Sequence, residues 1–183
     1  MSASPKKVTE GYLERAALHY LGRFSATEAY LRQVLERKVC RRNENYEPAS
    51  TEQLEWIASV AAKCVRLGYV DDKQYALSRF ESLLRKGKPR RAIEQDLRHK
   101  GVSEEIVKNL LHAVDEDPDR NIDLSAAAAY IKRRRFGPFR RVDKVSDEKI
   151  EKEKAAMMRA GFPYRVVSKL LDSTEDEILV LLP

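Results

Sequence analysis

Apolar residues recur every three or four positions along most of the chain. Between residues 26 and 39, for example, Tyr30, Val34 and Leu35 fall on one helical face, with charged residues between them. The same spacing predicts helices at 26–39, 54–67, 72–86, 91–100, 104–114, 124–135, 147–160 and 163–171. No segment shows the alternation typical of a strand. The pattern therefore predicts an all-α protein.

Residues at the predicted helix ends support these boundaries. Ser25 with Glu28 has the spacing of a capping box, and Asp71 with Gln74 can cap the helix that follows. Asp71 and its neighbour Asp72 have a second interpretation, as metal ligands, but a helix start explains them more simply. The glycines that end predicted helices are Gly68, Gly87, Gly101 and Gly161.

The sequence contains an internal repeat. Residues 101–111 match residues 161–171, and the pattern Ala-Ala-x-x-Tyr at 16–20 returns at 126–130. This predicts three units of three helices, at 9–68, 69–116 and 124–183, the last with a C-terminal tail. Residues 1–8 are expected to be a flexible N-terminus, and the acidic segment 117–123 a linker. Units that share a core with their neighbours favour an elongated array of tandem repeats.

Composition excludes several classes of protein. The 183 residues contain no apolar run near the roughly 18 needed to span a bilayer. The polar N-terminus and the two cysteines, Cys40 and Cys64, give neither a signal segment nor a disulfide framework, so we expect a cytoplasmic protein. The three histidines are scattered, and no phosphate-binding loop or nucleophile motif is present. We therefore expect no enzyme, no cofactor and no metal site.

Positive charge is concentrated in two predicted turns, each between the first and second helix of its unit. We call them the first and second basic turns. The first contains Arg85, Lys86, Lys88, Arg90 and Arg91. The second contains Lys132, Arg133, Arg134, Arg135, Arg140 and Arg141, with Phe136 and Phe139 between its two halves.

The helix dipole accounts for one or two cations at a helix end, at about 0.3–1 kcal/mol each. It does not account for five cations in seven residues or six in ten. We therefore expect both turns to be exposed and to bind a partner. Trp56 could stack on a nucleobase, but its place beside Ile57 and Val60 favours the core.

A central motif resembles a known family. Residues 67–76 read Leu-Gly-Tyr-Val-Asp-Asp-x-x-Tyr-Ala, and residues 87–102 read Gly-Lys-Pro-Arg-Arg-x-Ile-x-x-x-Leu-x-x-Lys-Gly-Val. Both are similar to consecutive stretches of RecX regulatory proteins. Arg23-x-Ser25-x-x-Glu28 and the late Gly161-Phe162 also fall where that family has them, so the resemblance covers about residues 15 to 172. Ala29 stands where a Leu is usual, and residues 43–50 resemble an insertion.

The resemblance implies a non-enzymatic regulator of the RecA recombinase. Members of the family are arrays of three three-helix units that lie in the groove of the RecA–DNA filament. They inhibit the recombinase, ATPase and coprotease activities that serve DNA repair and the SOS response. The resemblance also implies that this protein is a monomer that binds the filament. It leaves open whether the protein contacts DNA within or near the filament.

A second hypothesis is a helical-repeat protein that binds nucleic acid directly. The net charge of +6 permits it, although residues 51–120 carry no net charge. A direct binder would hold naked DNA with a steep dependence on salt concentration. That measurement separates the two hypotheses.

Overall fold

The computed structural model describes residues 7–117, 121–140 and 146–183. The helices are α1 (Glu10–Leu21), α2 (Glu28–Cys40), α3 (Thr51–Arg66), α4 (Asp72–Arg85), α5 (Arg90–His99), α6 (Glu104–Asp115), α7 (Ile122–Arg134), α8 (Asp147–Ala160), α9 (Tyr164–Leu171) and α10 (Glu175–Val180). Short 3₁₀ turns lie at Glu44–Tyr46 and Gly137–Phe139. These described segments contain no strand, and the all-α prediction is confirmed.

The chain divides into two compact units. Unit 1 contains the residues up to Tyr75 together with Lys100–Ser103, and unit 2 contains Ala76–His99 and Glu104–Pro183. The middle predicted repeat thus contributes residues to both units. The division into three repeats and the elongated arrangement stay predictions.

Unit 1 is built on α3, against which both α1 and α2 pack. Its core includes Leu13, Leu31, Leu35 and Ile57, all at most 2% exposed, of which Leu35 and Ile57 lie on apolar faces that the sequence predicts. Trp56 is partly buried against this cluster, in accord with a place in the core. Removing such side chains from water is the main contribution to stability in a helical unit.

The first turn of α2 is capped differently from the sequence prediction. The cap is the fully buried Thr27, whose hydroxyl accepts a hydrogen bond from the Tyr30 N–H at 3.1 Å and donates one to the Lys100 carbonyl. The predicted Ser25–Glu28 capping box is therefore wrong, because Ser25 lies two residues before the cap. The helix begins where a buried hydroxyl can satisfy a tertiary contact as well as a local one.

Asp71 and Asp72 both satisfy backbone N–H groups. The Asp71 carboxylate accepts the Gln74 N–H at 2.9 Å, which confirms the predicted cap. The Asp72 carboxylate accepts the N–H of Glu28, in the first turn of α2, at 2.9 Å. Burial is the main cause that raises the pKa of Asp72. Each acidic side chain thus serves a different helix start.

Unit 2 contains α5 to α10 and all but the first turn of α4. Its fully buried side chains include Phe80, Ile93, Ile131, Met157 and Ile178, none of them measurably exposed. Helix α10 was not predicted, although Thr174 and Glu177 form a capping box at its start and have the Thr-x-x-Glu spacing of that motif in the sequence. No helix of the described residues is long and apolar enough to cross a membrane.

Candidate partner-binding surface

The first basic turn connects α4 to α5. Gly87 has a φ of 64° and ends α4 with a hydrogen bond from its N–H to the Leu84 carbonyl at 2.8 Å. Because glycine takes this left-handed conformation without strain, α5 can begin after a connection of only four residues. The cations at the surface of this turn are Arg85, Lys86, Lys88 and Arg91, all of which are exposed.

Arg90 differs from its neighbours in the first basic turn. Its guanidinium binds both oxygens of Asp115, at 2.5 and 2.8 Å, and also reaches Glu94 at 3.2 Å. These carboxylates raise the pKa of Arg90, and the hydrogen bond from Arg90 lowers the pKa of Asp115. The backbone N–H of Arg90 donates to Asp123 at 3.1 Å. The expectation that Arg90 is free at the surface is not met, because the fold already neutralises its charge.

The second basic turn follows α7. Lys132, Arg133, Arg134 and Arg135 are exposed, and Arg135 caps the helix in the left-handed conformation with a φ of 57°. The guanidinium carbons of Arg133 and Arg134 lie 5.7 and 5.9 Å from the ring centroid of Tyr130. An aromatic ring at this distance attracts a cation and limits its rotamers.

The later half of the second basic turn is mostly internal. The Arg140 side chain is only 11% exposed and donates to the buried carboxylate of Glu153 at 2.8 Å. The same oxygen of Glu153 accepts the Gly137 N–H at 3.1 Å. Phe136 and Phe139 are half-buried, and Arg141 lies outside the described residues. Arg140 therefore fixes the turn that carries the phenylalanines, and its charge is already neutralised.

Tyr130 joins the two basic turns. A Cβ atom placed on Gly87 would lie 2.6 Å from the Tyr130 nitrogen, so the first turn rests directly on the backbone of α7. The Tyr130 ring in turn contacts Phe136 and Phe162, with centroids 6.1 and 5.4 Å apart. Tyr130 is not among the candidate residues predicted from the sequence, although its place in the repeated Ala-Ala-x-x-Tyr pattern is a usable signal.

This surface is equipped to hold anions. Among the described residues, no carboxylate forms an ion pair with Lys86, Lys88, Arg133 or Arg134. The described segments also hold no group of three or more His, Cys, Asp or Glu side chains that could bind a metal ion. Available cations on packed turns, two of them beside an aromatic ring, are typical of a surface that binds an acidic partner.

The described residues form an all-helical fold with a basic surface that includes aromatic side chains, and this places the protein in the class of all-helical proteins. The model of the second three-helix domain of RecX matches residues 71–111. The Regulatory protein RecX of Myxococcus xanthus is 38% identical over 170 residues, which cover 92% of this chain and 89% of the relative. The protein of the same name from Agrobacterium fabrum is 32% identical over 167 residues, covering 91% and 85%.

The chain belongs to the RecX family of regulatory proteins, and the resemblance found in its central motif is confirmed. A solved relative, the crystal structure of RecX from Lactobacillus salivarius, has a TM-score of 0.57 and 19% identity, and the match covers 93% of this chain and 97% of that one. This likeness supports the fold.

Proposed function

We propose that the chain binds the RecA–DNA filament and inhibits the recombinase, ATPase and coprotease activities of RecA in DNA repair and the SOS response. The observation that carries the proposal is the meeting of the two basic turns at Tyr130. Membership of a family of regulatory proteins supports a role exerted on a partner, and the resemblance to RecX proteins supports RecA as that partner.

The physical basis of binding is the set of cations that the fold leaves available. Lys86 and Lys88 present flexible ammonium groups, whereas Arg133 and Arg134 present guanidinium groups that are held over a ring. Guanidinium groups bind carboxylates in pairs of parallel hydrogen bonds, and ammonium groups add charge without fixed geometry. The surface therefore suits an acidic partner. We propose that the protein acts as a cytoplasmic, non-enzymatic monomer.

The alternative, direct binding of nucleic acid, uses the same cations. Phosphates would replace carboxylates as the bound groups. Each lost phosphate contact would then reduce the slope of log binding constant against log salt concentration by about one. Measurements with and without recombinase therefore decide between the two functions.

The experiment compares a variant that carries Lys86→Ala and Lys88→Ala with a control that carries Lys73→Ala and Lys108→Ala. All four side chains are exposed lysines, so both variants lose the same charge. Exposed substitutions usually change stability by under about 0.5 kcal/mol, so both variants should melt as the wild type does. We expect inhibition of RecA ATP hydrolysis by the Lys86 and Lys88 variant to weaken at least tenfold, or about 1.4 kcal/mol.

A companion variant, Arg133→Ala with Arg134→Ala, should weaken inhibition to a similar degree, and the combined variant should weaken it more than either pair alone. Full inhibition by the combined variant would rule out this surface. Loss of affinity for naked DNA that is as large as the loss of inhibition would instead support the direct nucleic-acid binder.

A further inference from the structure

Unit 1 carries an aromatic and cationic cluster that the proposed function does not use. Tyr20, in the last turn of α1, lies 5.2 Å from Phe24 between ring centroids, with the planes tilted by 35°. The guanidinium carbon of Arg23 lies 5.4 Å from the Phe24 centroid. Phe24 is 50% exposed, so the cluster opens to solvent in the turn between α1 and α2.

Tyr30 of α2 extends this cluster. Its ring has the Arg37 guanidinium carbon at 5.6 Å and the Lys100 ammonium nitrogen at 4.7 Å. Burial and the neighbouring Tyr30 raise the pKa of Tyr20, and the charge of Arg37 opposes that shift. Both rings therefore lie within the field of the same guanidinium.

The cations of this cluster are available to a ligand. Within the described part of the chain, Arg23, Arg37 and Lys100 form no ion pair with a carboxylate. By contrast, Arg32 and Lys63 of the same unit each pair with a glutamate. A half-exposed ring with unneutralised cations is a feature that an anionic partner would complement.

Unit 2 contains a cluster of the same residue types, with its two rings edge-on rather than tilted. There Tyr130 and Phe136 lie 6.1 Å apart, and the guanidinium carbon of Arg134 lies 5.9 Å from the first ring and 5.8 Å from the second. Tyr20 and Tyr130 occupy equivalent positions of the repeated Ala-Ala-x-x-Tyr pattern. The phenylalanine follows after four residues in one case and six in the other, so sequence alignment alone does not show the equivalence.

The middle repeat lacks this arrangement. Arg79 stands three residues after Ala76, where the other repeats have tyrosine, and its guanidinium binds both oxygens of Asp96 at 2.7 and 2.8 Å. A cluster of one tyrosine, one phenylalanine and one arginine, which we call a corner, thus occurs in the first and third predicted repeats.

We propose that the corner formed by Tyr20, Arg23 and Phe24 is a second contact site for the acidic protein partner, chemically equivalent to the corner formed by Tyr130, Arg134 and Phe136. The proposal rests on the proposed function. In each corner the guanidinium lies over a ring face on which a base would otherwise stack. Guanidinium edges bind carboxylates in a bidentate manner, and under the proposed function those carboxylates lie on the surface of the acidic protein partner. Two like corners suit a partner that presents the same site repeatedly, as the subunits of a filament do.

Charge reversal tests the proposal without removing an aromatic side chain. Arg23→Glu changes an exposed residue, and Arg66→Glu, on the exposed surface of α3 in the same unit, is its control. A second pair is Phe24→Ala against Leu18→Ala, because their exposures are 50% and 49%. Binding of the full chain is measured on RecA filaments assembled on single-stranded DNA and, in parallel, on the naked single strand.

We expect Arg23→Glu and Phe24→Ala each to weaken filament binding by about fivefold or more. Contacts on one chain bind together because each raises the effective concentration of the others, so losing one contact lowers the overall affinity. The two controls should bind as the wild type does. Arg23→Glu together with Arg134→Glu should bind more weakly than either single variant.

The inference would be overturned if Arg23→Glu and Phe24→Ala bound the filament as well as their controls do. The proposed function would survive that result if the Lys86 and Lys88 variant still lost inhibition. An equal loss on the naked single strand would also overturn it, because the occupant would then be nucleic acid. A wild-type chain that fails to bind the filament would refute the proposed function itself.

Discussion

Replacing Gly87 with alanine tests the contact that brings the two basic turns together. Gly87 has a φ of 64°, and an added Cβ would lie 2.6 Å from the Tyr130 nitrogen, 2.7 Å from its Cα and 2.9 Å from the Ala126 carbonyl oxygen. All three are backbone atoms of α7. No rotamer change can relieve the overlap, so the first basic turn and α7 must separate.

The expected cost has two parts. A left-handed conformation costs a non-glycine residue about 1–2 kcal/mol, and alanine recovers about 0.4–1 kcal/mol by restricting the unfolded chain. Overpacking adds about 1–3 kcal/mol where the neighbours cannot move aside. Gly68→Ala isolates the first part, because Gly68 has a φ of 74° and nothing within 4 Å of an added Cβ. We therefore expect Gly87→Ala to be the less stable variant by about 1–3 kcal/mol.

Thermal and urea unfolding of the two variants, followed by far-ultraviolet circular dichroism, measure this difference. At about 2–4 °C per kcal/mol for a chain of this length, the melting temperatures should differ by several degrees. Inhibition of RecA ATP hydrolysis by the folded proteins is the second readout. It should fall in Gly87→Ala and stay at the wild-type level in Gly68→Ala, since only the former displaces cations of the proposed surface.

Equal stability of the two variants would show that the first basic turn does not rest on α7. The convergence of the two turns at Tyr130 would then have no basis. A destabilised Gly87→Ala that keeps full inhibition would leave the packing argument intact and remove its link to function.

Three further predictions concern single interactions. In urea titration, Asp71→Ala should lower the free energy of unfolding by about 0.5–2 kcal/mol, whereas Asp71→Ser should stay near the wild type. If divalent cations stabilised the wild type but not the alanine variant, Asp71 would be a metal ligand and the cap would be contradicted. Glu153→Gln leaves the buried Arg140 without a counter-charge and should cost about 3–5 kcal/mol in the same titration, whereas a change under about 1 kcal/mol would argue against a buried pair. Because Arg90 lowers the pKa of Asp115, their pair contributes fully above the ordinary aspartate pKa and is lost as pH falls through the lowered value. Asp115→Asn should therefore flatten the acid side of the stability–pH curve, and an unchanged acid side would show that the pair is not formed.

The sequence predicts the region of the candidate surface but not which of its cations remain available to a partner. It indicates both basic turns, because cations adjacent in sequence stay close in any fold. It does not distinguish Arg90 and Arg140 from their neighbours, although the fold pairs Arg90 with Asp115 and Arg140 with Glu153. Those partners lie 25 and 13 residues away, at separations that local patterns do not encode.

The sequence alone specified α2 to α9, eight of the ten described α-helices, together with the ends at Gly68 and Gly161 and the cap at Asp71, because each depends on apolar periodicity or on contacts within about five residues. Tertiary structure decided the start of α2, where a carboxylate 44 residues away binds the first turn. It also decided which cations remain available and which helix Gly87 meets. These outcomes depend on how helices pack, and packing is set by the shapes of side chains that are distant in sequence.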